Sequence, residues 1–235
     1  DHNDTARLLK NADIAMYQAK EYGRNNFKFF HEQMHADLME YHELERDIRE
    51  ALHQGQFHLA YQPKVNIRIN QLQGLEALLR WNSPTRGNVS PGNFIPVAEE
   101  SGHIIPLGYW VLNEVCLTLR SWQDKGLTLV PVSVNVSARQ FQQPDFHKRV
   151  AEVLRKHSID PSLIEIELTE GLVMEDIDSA QRELAQLKKI GLRISIDDFG
   201  VGYSSMSQLL QLPLDELKID RSFIANLDND IRAQA

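Results

Sequence analysis

The sequence is poor in cysteine, with one, Cys116, among its 235 residues. A single cysteine excludes an intrachain disulfide framework and a zinc site built from paired thiolates, and it is typical of proteins in a reducing compartment. The sequence also lacks an apolar run of about 20 residues and a recognisable signal peptide. We therefore expect a cytoplasmic segment that makes no membrane contact of its own, with any membrane anchor located further upstream.

A surplus of positive charge is absent as well. The sequence has 25 lysines and arginines against 33 aspartates and glutamates, which gives a net charge of −8. Proteins that bind nucleic acid polymers neutralise phosphates with basic side chains. We therefore expect no nucleic acid polymer among the partners, and a small anionic ligand would need a metal ion and a few well-placed cations.

Alternating apolar and polar residues predict strands along most of the chain. The six predicted strands lie at 57–65 and 75–81 and begin near residues 132, 163, 193 and 216. The first two are separated by a short polar segment, too short for a parallel crossover, so this pair should be antiparallel.

Helical patterns separate the later strands, as in βα units that feed a parallel sheet. These patterns lie at 146–157, 177–190 and 203–211, and the interval before residue 132 should hold a loop, Pro84–Pro96, and a helix near Leu107–Lys125. The predicted fold class is α/β, a (β/α)₈ TIM-like barrel with an antiparallel first strand. Because such a barrel has eight strands, we expect its last two βα units to be lacking in this chain.

The residues that precede the predicted barrel form a separate region. An apolar stripe that includes Leu8 and Ala15 predicts a helix, and Phe27-Lys28-Phe29 is interpreted as a short strand. Apolar residues three or four apart predict a long helix over 32–54. We divide the chain into an upstream remnant (1–30), a linker helix (31–54) and a C-terminally incomplete barrel (55–235).

The predicted strands carry polar faces rich in acidic residues. In the run that begins at Leu163, Glu165, Glu167 and Thr169 share one face. Buried carboxylates are costly unless a cation compensates their charge. The polar faces of the other strands contribute further side chains: Glu76, Arg80, Asn135, Asp197 and Lys218.

In a parallel barrel the carboxyl ends of the strands meet at one mouth, where such folds hold their active sites. Hard oxygen ligands on separate strands favour Mg²⁺ or Mn²⁺ over zinc. The alternative is a set of antiparallel strands whose polar faces are simply exposed to solvent.

Several short sequence motifs occur together along the chain, in a fixed order. They are Tyr61-Gln62-Pro63, Glu76-Ala77-Leu78, Phe94 to Glu99, Asn135-Val136-Ser137, Glu167-Leu168-Thr169-Glu170, Asp197-Asp198-Phe199-Gly200 and Lys218 to Phe223. Over residues 42–235 the combination resembles the EAL domain, the cyclic di-GMP-specific phosphodiesterase family. Upstream, Ala12 to Lys20 followed by Gly23-Arg24-Asn25 resembles the closing segment of a GGDEF (diguanylate cyclase) domain. The signature loop of that domain is absent, so we assign no cyclase activity.

The resemblance implies a metal site. Glu76, Asn135, Glu167 and Asp197 would ligate a catalytic Mg²⁺ or Mn²⁺, and Asp197 would bridge to a second ion that Asp198 also holds. Paired ions of this kind can clamp the attacking and leaving oxygens of a phosphoryl displacement. For Asp197-Asp198 the structural alternative is a turn or a helix cap just beyond a strand.

The resemblance also implies roles for four other side chains. Lys218 would contact the attacking water, Glu170 would brace the loop after Asp198, and Gln62 and Arg80 would hold the substrate. The structural alternatives are a surface lysine, a carboxylate at a helix start and, for Arg80, an ion pair. The segment 200–205 would link the metal site to a homodimer interface, and the glutamate and glutamine of the family's last two strands have no counterpart here.

The implied activity is metal-dependent hydrolysis of cyclic di-GMP to linear 5′-pGpG. One alternative is a module that binds cyclic di-GMP without hydrolysing it, which the missing strands would favour for this chain. Another is a dimerisation scaffold whose mouth binds neither Mg²⁺ nor the dinucleotide. The intact set Glu76, Asn135, Glu167, Asp197 and Lys218 favours the enzyme.

Overall fold

The computed structural model of the chain describes residues 5–21, 27–200, 209 and 211–225. Within these residues, the strands of one sheet alternate with helices. The strands are β1 (Phe57–Asn66), β2 (Gln71–Ser83), β3 (Gly87–Val89), β4 (Val132–Asn135), β5 (Ile164–Thr169), β6 (Arg193–Phe199) and β7 (Glu216–Ile219). The helices are α1 (Thr5–Glu21), α2 (Glu32–Gln54), α3 (Pro91–Ser101), α4 (Ile104–Asp124), α5 (Ala138–Phe141), α6 (Phe146–His157), α7 (Glu170–Glu175), α8 (Ile177–Ile190) and α9 (Arg221–Ala225).

The strands follow the order β1-β2-β4-β5-β6-β7, and β3 pairs with β2. β1 and β2 form an antiparallel hairpin in which Gln62 lies opposite Glu76. From β2 onward, each step of the order is parallel. The predicted antiparallel first pair and the parallel βα units that follow are both confirmed.

The sheet curves around an interior. Lys64 Nζ on β1 lies 2.7 Å from Glu165 Oε1 on β5 and 3.8 Å from Glu216 Oε1 on β7. Because β1 and β7 stand at opposite ends of the strand order, these contacts require the sheet to bend until its two ends approach each other.

The outer face of the curved sheet packs on helices. The aliphatic side chains Ile164, Ile166 and Leu168 of β5 are at most 1% exposed and belong to one hydrophobic core. Fully burying such a side chain stabilises the fold by roughly 1.5–3 kcal/mol. The same core contains residues of α4, α6 and α8, which alternate with the strands along the chain. The aliphatic faces therefore point to the helices and leave the polar faces for the interior.

The helix α2 lies between α1 and β1 along the chain and packs against both the sheet and α1. Near its C-terminal end, Ile48 and Ala51 are fully buried in a second core that includes Trp81 at the end of β2. Near its N-terminal end, Met34 packs with Ile14 of α1. Among the described residues, no helix is long and apolar enough to cross a membrane.

The predicted loop Pro84–Pro96 is wrong, because α3 begins at Pro91 and contains Pro96. Proline at the first helical position loses no intrahelical hydrogen bond, since that N–H has no partner in any helix. Pro96 removes one bond further along, but the burial of Phe94 and its neighbours in the second core holds the helix. The predicted helix near Leu107–Lys125 is confirmed as part of α4.

The predicted strand at Phe27–Phe29 is also wrong. These residues have no regular structure, and Phe27 and Phe29 are 77% and 80% exposed. No described strand pairs with this segment, and two alternating aromatics cannot form a strand without a partner. The helices predicted at 32–54, 146–157 and 177–190 are confirmed, whereas the one at 203–211 lies outside the described residues except for 209 and 211.

Candidate active site

Lys218 lies at the centre of a group of acidic side chains from three other strands. Its Nζ donates a hydrogen bond to Glu167 Oε1 on β5 and another, of 3.1 Å, to Glu76 Oε2 on β2. Asp197 Oδ2 on β6 lies 3.8 Å from the same nitrogen. The period-two alternation that turns aliphatic side chains outward on each strand turns these four side chains inward.

Asn135 joins this group at the end of β4. Its Nδ2 donates a 3.0 Å hydrogen bond to Glu76 Oε1. In the parallel register Asn135 is the partner of Glu167 on the next strand. The structure therefore brings together five of the side chains predicted for the metal and catalytic site.

The electrostatics of the group are dominated by Glu167, which is 1% exposed. The pKa of the Glu167 carboxyl is raised to about 8, chiefly by burial; Asp197 and Glu76 act in the same direction, and Lys218 opposes them. The pKa of Lys218 is raised, because burial is outweighed by its hydrogen bonds and ion pairs with Glu167 and Glu76. One ammonium thus faces three carboxylates and does not neutralise them.

Asp198 follows Asp197 on β6 and lies where the strand departs from regular geometry. Its φ is 54°, in the left-handed region, and the pairing of β6 with β7 shifts between Ile196 and Phe199. An irregularity of this kind can re-aim a side chain that would otherwise point to the opposite face. Burial raises the pKa of Asp198, and the charges of Asp197 and Asp220 add to the shift. The alternative of a turn beyond the strand is wrong, because both aspartates lie within β6.

Glu170 begins α7 directly after β5 and is 2% exposed. Its Oε2 accepts a 2.7 Å hydrogen bond from the backbone N–H of Gly200, which follows β6. Gly200 has φ 100°, and a Cβ at this position would lie 2.7 Å from the ring of Phe223. Glu170 therefore contacts the start of the loop after Asp198. Residues 201–208 of that loop lie outside the described residues.

Of the two predicted substrate-binding residues, Gln62 lines the interior cavity and Arg80 does not. Gln62 faces the interior cavity together with Glu76 and Lys218. Arg80 lies four residues beyond Glu76 on β2, on the same face of the strand. Its Nη1 donates a 2.8 Å hydrogen bond to the backbone carbonyl of the preceding residue, Leu79. Within the described part of the chain Arg80 forms no ion pair, so the structural alternative proposed for it is not observed.

A second charged group, which was not predicted from the sequence, lies toward the amino-terminal ends of the parallel strands. Glu165 accepts hydrogen bonds of 2.7 Å from both Lys64 Nζ and Ser133 Oγ, and Arg193 Nε lies 3.7 Å away. Although burial works in the opposite direction, these donors lower the pKa of Glu165. A cavity of about 310 Å³ extends from this group to the side chains of Glu76 and Lys218. The alternation indicated that Glu165 faces inward, but Lys64 lies 101 residues away and no local pattern connects them.

The side chains around Lys218 include the oxygen ligands that Mg²⁺ or Mn²⁺ requires. In the described ranges, no group of three or more His, Cys, Asp or Glu side chains has the spacing of a metal site. The Lys218 ammonium lies among the carboxylates and interacts with each of them. Glu167 Oε2 is buried and receives no hydrogen bond from the described residues. Carboxylate and amide oxygens on four strands are hard ligands, and this chemistry, with an unsatisfied buried oxygen, fits a divalent cation.

The chain is similar in sequence to a known domain family and to several of its members. The sequence profile of the EAL domain matches residues 45–235. A protein of Pseudomonas aeruginosa, the "Bifunctional diguanylate cyclase/cyclic di-GMP phosphodiesterase MucR", is 46% identical over 95% of the chain. The "Cyclic di-GMP phosphodiesterase PdeR" of Escherichia coli is 40% identical over 96% of the chain. The chain spans about a third of the length of these curated relatives.

A solved structure described as "PaMucR Phosphodiesterase, c-di-GMP complex" superposes on the chain with a TM-score of 0.78 and 44% identity. The match covers 82% of this chain and 78% of that one. This similarity confirms the predicted fold class, in which an antiparallel hairpin precedes parallel βα units.

Proposed function

The chain belongs to the EAL domain family, and on that premise we propose that it carries a metal-dependent cyclic di-GMP phosphodiesterase site that yields linear 5′-pGpG. The observation that supports the proposal best is the convergence of Glu76, Asn135, Glu167 and Asp197 around Lys218. Relatives of similar sequence bear the names of cyclic di-GMP phosphodiesterases, and a similar solved structure is described as a complex with this dinucleotide.

Glu76, Asn135, Glu167 and Asp197 are the residues that would hold a catalytic Mg²⁺ or Mn²⁺, and Asp197 and Asp198 would hold a second ion. When bound, such ions supply Lewis-acid stabilisation of the phosphoryl oxygens and a more acidic attacking water. The irregular backbone at Asp198 supports a role for both aspartates, because a regular strand would turn consecutive side chains to opposite faces.

Lys218 would orient the water that attacks phosphorus. Its Nζ now donates to Glu76 and Glu167, and once the charge of those carboxylates is neutralised its N–H groups can donate to the water oxygen instead. Attack at phosphorus breaks the bond to the 3′ oxygen, which leaves as a hydroxyl and leaves a 5′ phosphate on the linear product. Glu170 keeps the backbone at Gly200 in place and is a positioning residue.

Gln62 and Arg80 would bind the dinucleotide. Gln62 lies beside Glu76 at the cavity, where its amide can donate to a ligand. Arg80 carries a planar guanidinium that can bind a phosphate through two parallel hydrogen bonds. Both residues lie on the β1–β2 hairpin, so the hairpin would form the substrate side of the mouth.

We infer that residues 1–30 are the C-terminal end of a GGDEF domain, that 31–54 form a linker helix, and that the barrel begins near residue 55. The alignment with the bifunctional relative covers 95% of the chain and so includes residues before position 45, where the EAL profile match begins. We also propose that the EAL domain forms a homodimer, which sedimentation of the purified protein would test.

A turnover assay tests the proposed function. The protein is incubated with cyclic di-GMP and Mg²⁺ or Mn²⁺, beside Glu76→Ala and a control, Glu50→Ala, at an exposed position of α2. We expect 5′-pGpG from the parent and the control and none from Glu76→Ala. Product from Glu76→Ala at the parental rate would contradict the metal role. Binding of the dinucleotide without product in any variant would instead indicate a non-hydrolysing receptor.

A further inference from the structure

The buried Glu165 carboxylate connects strands that are not neighbours in the sheet. It accepts hydrogen bonds of 2.7 Å from Lys64 on β1 and from Ser133 on β4. β1 and β5 are separated in the strand order by β2 and β4, so the Lys64–Glu165 bond crosses the interior. The side chain of Glu165 is 4% exposed and that of Lys64 is 22% exposed, so solvent screens the bond only weakly.

Each partner of this bond lies two residues from a residue of the candidate site and on the same face of its strand. On β1 Lys64 follows Gln62 by two residues, and on β5 Glu165 precedes Glu167 by two residues. Because side chains alternate with period two, the orientation of one inward side chain fixes that of the next. A bond that sets the distance between Lys64 and Glu165 therefore also sets the distance between Gln62 and Glu167.

We propose that the Lys64–Glu165 pair is a positioning clamp that holds the substrate side of the mouth, on β1, at the correct distance from the metal-ligating side, on β5. This inference rests on the proposed function. Neither clamp residue touches the group formed by Glu76, Asn135, Glu167, Asp197 and Lys218 through a hydrogen bond that the described residues make. The clamp acts through the backbone of the two strands.

The Lys64–Glu165 pair matters more for geometry than for stability. A buried ion pair contributes little net stability because the loss of hydration offsets the attraction, and apolar replacements of similar size are often tolerated. Such a pair instead fixes the relative position of the two strands that carry its residues. Residues that orient ligand-bearing side chains typically change metal affinity or activity by about 10–100-fold when they are replaced.

The test uses a double variant, Lys64→Met with Glu165→Gln, which removes both charges and retains an acceptor for Ser133. Lys188 and Asp215 provide a matched control, because they form a 2.8 Å ion pair between α8 and the segment before β7 and neither of them lines the interior cavity. The control variant is Lys188→Met with Asp215→Asn. Thermal melts monitor folding, electron paramagnetic resonance measures Mn²⁺ affinity, and calorimetry measures cyclic di-GMP affinity.

We expect the double variant to fold and to bind Mn²⁺ at least about 10-fold more weakly than the parent, with weaker dinucleotide binding as well. The control should bind both ligands as the parent does. Parental Mn²⁺ and dinucleotide affinities in a folded double variant would overturn the clamp while leaving the proposed function intact. A parent that binds no Mn²⁺ would overturn both.

The single variants keep the test decisive if the double variant does not fold. Lys64→Arg preserves the charge and should restore most of the Mn²⁺ affinity that is lost in Lys64→Met. Equal losses in Lys64→Arg and Lys64→Met, with unchanged melting temperatures, would contradict a role that depends on the ion pair.

Discussion

Replacing Lys218 with methionine tests whether its ammonium stands in for a metal ion as the counter-charge of the site. The change removes a donor that faces Glu76, Glu167 and Asp197. The Glu167 side chain is fully buried and that of Lys218 is 20% exposed, so the pair counts as a buried one. Breaking such a pair by deleting one partner costs about 3–5 kcal/mol, and the partial exposure of Lys218 favours about 3 kcal/mol. For a domain of this size that loss lowers the melting temperature by about 6–12 °C.

The decisive measurement is the response of the melting temperature to Mn²⁺ after treatment with a chelator. A ligand that binds only the folded state stabilises it by about 2.7 kcal/mol at 100 times its dissociation constant. In the parent, part of that gain is offset because the Lys218 ammonium must leave the carboxylates. In Lys218→Met nothing offsets it, so we expect Mn²⁺ to raise the melting temperature of the variant more than that of the parent.

Lys188→Met is the control, because Lys188 forms its ion pair with Asp215 at the surface. Exposed pairs contribute about 0–1 kcal/mol, and the loss should not depend on Mn²⁺. The reasoning is refuted if Mn²⁺ shifts the melting temperature of Lys218→Met by no more than it shifts that of the parent.

Three further predictions concern other parts of the structure. Gly200→Ala should lose activity and about 1–2 kcal/mol of stability, because φ is positive and the ring of Phe223 must move away from the new methyl group; a parental turnover rate and melting temperature would contradict this. Asp215→Asn should destabilise the protein by about 1 kcal/mol at pH 7. Although burial opposes it, the hydrogen bond from Lys188 lowers the pKa of Asp215, so its contribution is present above the unfolded-state pKa of about 3.9 and is lost as the pH falls through the folded-state value. Urea denaturation at pH 7 and pH 3 should show the difference from the parent shrinking, and a constant difference would count against the ion pair. Burial raises the pKa of Cys116 to about 12, so a thiol reagent should modify it only in denaturant; rapid labelling of the native protein would show that the side chain is accessible.

The strands could be predicted because each has one face against helices and one toward the interior. This arrangement imposes period two on the sequence, as in β5, where Ile164, Ile166 and Leu168 face the core. The antiparallel pairing of β1 and β2 could be predicted from the short segment between them, because a parallel crossover needs a longer connection. The three-residue β3 could not be predicted, because it is shorter than the window in which periodicity can be recognised.

The site was predictable where its residues lie on regular strands and less so elsewhere. Alternation alone placed Glu76, Glu167 and Lys218 on inward faces, and their meeting follows from parallel pairing. The left-handed backbone at Asp198 has no signature in a sequence, since aspartate is not a residue that requires it. The bond between Lys64 and Glu165 depends on how far the sheet curves, which is a property of the whole fold.

The length of helix α2 and the contacts at its two ends have a consequence for how motion passes along the chain. It is one continuous helix of 23 residues, about 34 Å long at 1.5 Å per residue, and residues near both of its ends contact other elements. Asp47 of α2 forms a 2.8 Å ion pair with Arg86, which follows β2. Near the N-terminal end of α2, Met34 packs against α1. A flexible tether would only limit how far the upstream segment can move. A stiff helix would instead transmit a rotation of α1 to the β2–β3 turn, which adjoins the strand that carries Glu76.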